Sequence, residues 1–264
     1  MTRFLLALVL LSPLSPAAAS QSALQTGRDA LSAAVHAADA AALLAARAQI
    51  QIAASGETAG WAAYYTALAD YRLAYAFWGT EPERAARHAQ AGADALAALR
   101  RGRLGAPLDA EAAALHAALL SARIGLDPAQ GMALGPASQR ALADAVRLDA
   151  ENPRVMFVEA SSLLNTPPEW GGDPDRALAL LQGAVAAFEA SGAGAATPEA
   201  PAWGHADAAS WLALAHLMRG DWEAAREPLA TAERLDPNSA FVRYKLKPWL
   251  AQLESDAPAA APGE

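Results

Sequence analysis

The chain has 264 residues, no cysteine, a formal net charge of −8 and a composition that is 54% hydrophobic but only 6% aromatic. Without cysteine there is no disulfide scaffold, no thiolate metal site and no cysteine nucleophile. The apolar fraction excludes a disordered chain, and the acidic balance argues against a nucleic-acid binder, whose footprint is basic. Much of the apolar content is alanine, 75 residues, the strongest helix former. That choice favours closely packed helices over sheets.

The N-terminus reads as an address. Met1-Thr2-Arg3 is a short positive start, residues 4–11 are an unbroken apolar run, and Ala17-Ala18-Ala19 has the small-residue pattern of a signal-peptidase site. The run is too short to span a bilayer, which needs about 20 apolar residues. The expectation is a signal peptide at 1–19, cleaved near Ala19, and an exported, periplasmic chain with no stable membrane anchor.

Residues 20–55 are alanine-rich with Leu and Ile at helical spacing. The next helix carries Trp61, Tyr64, Tyr65, Leu68, Tyr71, Tyr75 and Trp78 and ends at Gly79. Thr80, Pro82 and Glu83 predict a capping box and a helix to about Arg101. A further helix spans 109–124, followed by an irregular connection through Gly125, Asp127-Pro128, Gly131 and Gly135-Pro136. Helices follow at 138–148 and from Asn152-Pro153 to Leu164. Thr166-Pro167 through Gly171-Gly172 is a Pro/Gly-rich insert, and Asp173-Pro174 restarts a helix to about Ala190. After a small, polar loop at 191–201 come helices at 207–219, 221–235 and 239–253, then a Pro/Ala tail at 255–264. No segment alternates with period 2, so the chain reads as all-α.

The helices repeat. Gly220-Asp221-Trp222-Glu223-Ala224-Ala225, then Ala232 and Leu235-Asp236-Pro237-Asn238, resembles the second helix of a tetratricopeptide repeat (TPR), with Leu212-Ala213 in its first helix. Looser echoes are the seven-residue spacings Ala177/Ala184 and Ala86/Ala93, and the ending Ala145, Leu148, Asp149. The resemblance implies about four helical hairpins with a flanking N-terminal helix and a C-terminal capping helix. Their expected arrangement is a right-handed superhelix of antiparallel hairpins, a TPR-like α-solenoid over 20–254. Asn152-Pro153-Arg154, Thr166-Pro167, Gly171-Gly172 and Trp203-Gly204 further resemble a group of exported bacterial TPR-like proteins with a TP…GG insert and a WG motif. The layout is also similar to the periplasmic helical-repeat components of TRAP transporters. Those are lipid-anchored through a cysteine, which this chain lacks.

Candidate contact residues follow from these features. In a solenoid the first helices line the concave groove, so Tyr64, Tyr71, Arg72 and Tyr75 are candidates to meet a partner. The same aromatic stripe also suits a buried core. The insert offers Asn165, Thr166 and Trp170, a stiff loop bearing an aromatic ring; that ring equally suits a plug over the hairpin end. Asn152 and Arg154 open the preceding helix, and Trp203 and His205 open the next hairpin. Asn152 also suits a helix cap. The five histidines, His36, His88, His116, His205 and His216, form no metal-binding motif, and no metal or cofactor is expected. Nucleotide-binding and nucleophile-elbow signatures are absent, so no catalytic residue is named and no enzyme is expected. The expectation is a periplasmic scaffold that binds an unidentified protein or peptide in its groove. The alternative is a small-solute accessory of a TRAP-type transporter, with its cavity near Trp170.

Overall fold

The computed structural model describes residues 16–102, 104–191 and 201–256. The apolar run at 4–11, residues 192–200 of the expected loop and 257–264 of the expected tail lie outside the described residues.

Eleven α-helices make up the described chain, with no strand among them. They are α1 Pro16–Ala37, α2 Ala40–Ile52, α3 Ala59–Phe77, α4 Pro82–Leu99, α5 Leu108–Leu126 and α6 Gly131–Leu148. After these come α7 Pro153–Asn165, α8 Pro174–Ser191, α9 His205–Met218, α10 Trp222–Leu235 and α11 Lys247–Asp256. A π-helical segment, Val242–Leu246, leads into α11. Consecutive helices pack as five hairpins: α1 with α2, α3 with α4, α5 with α6, α7 with α8, and α9 with α10. The first helices also touch in succession, α1 on α3, α3 on α5, α5 on α7 and α7 on α9. Such a layer is buried on most sides, and the sequence supplies for it. On α5, twelve residues are buried, seven of them alanines that let neighbouring backbones approach. The second helices carry one narrow apolar stripe, as on α4 with Ala85, Ala89, Ala93 and Leu96.

Several sequence expectations are corrected. Among the described residues there are five hairpins, because the stretch at 20–55 breaks at Ala38. Ala38 takes a left-handed φ of 52°. Its N–H donates to Val35 O and that of Asp39 to Ala34 O, the bond pair that closes a helix end. The Asp39 carboxylate then accepts from the N–H groups of Ala41 and Ala42 and starts α2. The Thr80 capping box does not form: α4 starts one residue later, with Glu81 at the N-cap and no side-chain cap bond. Gly135-Pro136 lies inside α6, which begins at Gly131. Ala86 is exposed while Ala85 and Ala89 are buried, so the repeat spacing there is out by one residue. Ser255 and Asp256, expected in the tail, are the last residues of α11.

The ends of the stack meet. Arg72 on α3 and Asp207 on α9, 135 residues apart, form a two-pronged ion pair at 2.7 Å. Asn238, just past α10, donates to the backbone oxygen of His36 on α1 across 202 residues. A continuous apolar core runs from Leu24 on α1 to Ala215 on α9. A second cluster, Leu217, Leu229, Val242 and Leu246 among others, joins α9 to α10 and seats the π-helical segment and α11 on that hairpin.

Candidate functional site

The inner layer holds a buried polar network. Glu111 on α5 is 1% exposed, and a carboxylate so buried needs partners for its oxygens. Arg154 Nε donates to both oxygens, at 2.8 and 2.9 Å. Asn152 Nδ2 donates at 2.7 Å and Tyr64 OH at 3.2 Å. Asn152 also caps α7, its side-chain oxygen accepting from Arg154 N–H. Trp203 Nε1 in turn donates to Tyr64 OH at 2.8 Å. Burial and the nearby Glu111 charge raise the Tyr64 phenol well above its ordinary range, so it stays protonated. Four expected residues, Tyr64, Asn152, Arg154 and Trp203, are thus brought together around Glu111, which the sequence reading did not single out.

Above this network is a cavity of about 670 Å³, within the usual range for small-molecule sites. One wall is α1, with Gln25, Arg28, Asp29, Ser32 and His36. Tyr65, Leu68 and Arg72 of α3 form the second, and residues 202–207 the third, with Leu235 and Asp236 at the end of α10. Rings and cations alternate along it. The Arg28 guanidinium lies 4.8 Å from the Tyr65 ring centre and the Arg72 guanidinium 5.5 Å from that of Trp203. Burial opposes the Arg72 charge, but Asp207 more than offsets this and holds the guanidinium firmly protonated. Burial raises the Asp236 carboxyl. It lowers His205, whose ring stacks on Phe188 and whose Nε2 is sealed without a hydrogen-bond partner. His36 keeps its ring exposed at the rim, with Nδ1 2.8 Å from the backbone oxygen of Ser32.

Gly204 shapes the third wall. Its φ of 111° turns the chain from Trp203 into α9. A Cβ there would stand 2.8 Å from Phe188 Cζ and 3.0 Å from Arg154 Cγ. The WG pair therefore places an aromatic ring at the cavity while its backbone presses on the network below.

The remaining expected residues lie elsewhere. Tyr71 is buried behind the wall against Tyr75, and Tyr75 is half exposed and stacked on Trp78. Neither lines the cavity; Tyr65, on the neighbouring line of α3, does. The insert closes its own hairpin. Asn165 and Thr166 bond back to Ser161 O and Ser162 O. A Cβ on Gly172 would sit 1.7 Å from Thr166 O, a contact only glycine avoids. Trp170 is 63% exposed and is not on the cavity wall. Arg28, His36, Asp207 and Asp236 carry no local signal as a group, because helix stacking alone brings them together.

Among the described residues no three His, Asp or Glu side chains are grouped to hold a metal ion. No described helix is long and apolar enough to cross a membrane. No protein-family model matches the chain, and no curated protein does either. Among solved structures, the chain is similar to the HusA haemophore from Porphyromonas gingivalis. The two are 29% identical with a TM-score of 0.60, and the match covers 76% of this chain and 95% of that one.

Proposed function

We propose that this protein is an exported binder of a small, flat, anionic ligand, with a haem-type porphyrin as the best-fitting chemistry. The observation that carries the reading is the 670 Å³ cavity in which two aromatic rings, Tyr65 and Trp203, stand beside two guanidinium groups. Flat aromatic ligands stack on such rings, and a guanidinium binds the carboxylate such ligands carry; Arg28 is placed for that beside Tyr65, while Arg72 is held by Asp207. The similarity to a haemophore over nearly all of that protein supports the same ligand class. It also favours a binding protein over an enzyme. The N-terminal pattern at 1–19 supports export to the periplasm. The five hairpins and their touching first helices support a TPR-like solenoid that curls until its ends meet.

The protein- or peptide-scaffold expectation uses the same inner face. The ties from Arg72 to Asp207 and from Asn238 to His36 brace the walls of the cavity, which favours a compact ligand over an extended chain. The test is a titration of the purified protein with ferric protoporphyrin IX, read by absorbance and tryptophan fluorescence. Saturable one-site binding is expected, weakened on the order of tenfold by Trp203→Leu or Arg28→Gln. Absence of saturable binding, or full affinity in both variants, overturns the porphyrin reading. Uptake of an extended peptide in its place supports the scaffold.

A further inference from the structure

If the ligand is a metalloporphyrin, its iron is cargo with open axial positions, and the cavity wall either offers a ligand to that iron or does not. Imidazole is well suited to iron, and a proximal histidine is a common way of holding haem. Two of the five histidines line the cavity, His36 and His205. The others are placed elsewhere: His88 is bound to Asp70 and His116 to Arg100, and His216 does not line the cavity.

The two candidates differ in which nitrogen they present. His205 Nε2 is sealed from solvent while its ring is held flat on Phe188 at 5.3 Å. A ligand in the cavity does not meet that atom while it is buried. His36 is exposed on α1. Its Nδ1 faces the backbone oxygen of Ser32 at 2.8 Å. A carbonyl oxygen only accepts, so Nδ1 carries the proton and the neutral ring keeps its lone pair on Nε2. Metal-bound histidines show this arrangement: the second nitrogen donates to a carbonyl, which fixes the tautomer and ring orientation. The backbone at this point is also anchored, since His36 O accepts from Asn238, just past α10. Of the three carboxylates on the wall, Asp29 accepts from Gln25, Asp207 is paired to Arg72 and Asp236 accepts from the Asn238 N–H.

We infer that His36 is the axial ligand this chain offers to the iron of a bound porphyrin, through Nε2. Iron takes up the lone pair, the proton stays on Nδ1, and no other bond changes. The inference rests on the porphyrin reading above, so its test uses two porphyrins. The wild-type chain, His36→Ala and His205→Ala are each titrated with ferric protoporphyrin IX and with metal-free protoporphyrin IX. Absorbance and low-temperature electron paramagnetic resonance report the iron ligation, and far-UV circular dichroism checks the fold.

The wild type is expected to bind both porphyrins and to show nitrogen ligation with the ferric one. His36→Ala should lose that spectrum and on the order of tenfold or more in ferric affinity. Its metal-free affinity should stay within about twofold, and added imidazole should restore the ligated spectrum. His205→Ala should keep the ferric spectrum. An unchanged ferric spectrum in His36→Ala overturns the inference, and so does an equal loss of both porphyrins. In either case the porphyrin reading stands. Failure of the wild type to bind either porphyrin overturns both.

Discussion

Replacing Glu111 by Gln leaves the Arg154 guanidinium facing a neutral amide beneath the cavity. The side chains of Glu111 and Arg154 are 1% and 12% exposed, so water gives the stranded cation little relief. Breaking a buried pair by removing one partner costs about 3–5 kcal/mol. A whole domain is stable by only about 5–15 kcal/mol, so the loss is a large share of the total. Arg154→Met strands the carboxylate instead, and Asn152 and Tyr64 remain as its donors; a similar loss is expected. The double variant strands neither charge. It should cost less than the sum of the singles, with a coupling of about 2–3 kcal/mol. Urea unfolding followed by circular dichroism gives the three stabilities on a common slope. Additivity within about 0.5 kcal/mol would refute the direct coupling of Glu111 to Arg154.

Three further outcomes follow from the geometry. Ala38→Gly should stabilise the chain by about 0.5–1 kcal/mol. The left-handed φ costs alanine roughly 1–2 kcal/mol and the looser unfolded chain returns part of it; an unchanged or lower urea midpoint contradicts this. Gly204→Ala should destabilise by about 2–4 kcal/mol, combining a left-handed φ of 111° with a 2.8 Å approach to Phe188; a loss under about 0.5 kcal/mol would remove the packing role given to the WG pair. Burial and the Arg100 charge lower His116 from 6.5 to about 4. The unfolded chain therefore takes up this proton first, and stability should fall as pH drops from 6.5 towards 4, then level off. The Tm of the wild type relative to that of His116→Phe should fall as pH drops across that window; a constant difference contradicts the shift.

Much of the fold is legible because helix ends carry chemical signs. Gly220-Asp221 marks the turn between α9 and α10, where Gly220 has a φ of 77° and the N–H groups of Gly220 and Asp221 bond to Leu217 O and His216 O. The same bond pattern occurs at Ala38 and Asp39, yet alanine in an alanine-rich stretch gives no sign of it. One hairpin was therefore not visible. The register of α4 was blurred for a related reason: with alanine at 85, 86 and 89, sequence spacing does not reveal which of them faces inward. The candidate site was legible only in part. Trp203 and His205 stand out beside a glycine at a helix start, and Arg72 as a cation within an aromatic helix. Glu111 looks like an ordinary acid in the first turn of α5, where the helix dipole alone would explain it. Its partners are 41 to 47 residues away. Arg28 and His36 belong to the site only because the last hairpin meets the first, and that closure depends on the summed packing of five hairpins. The insert misled because Pro, Gly and Trp together suggest a binding loop, whereas Thr166 and Gly172 close a tight turn there.

The central claim is that ligand is held between α1, α3 and the start of α9. Hydrogen exchange read by mass spectrometry, with and without protoporphyrin IX, tests it most directly. Added protection is expected in segments 25–36, 65–72 and 203–207, with none at 166–172. Protection confined to the Trp170 turn, or spread evenly over the outer helices, would contradict the account.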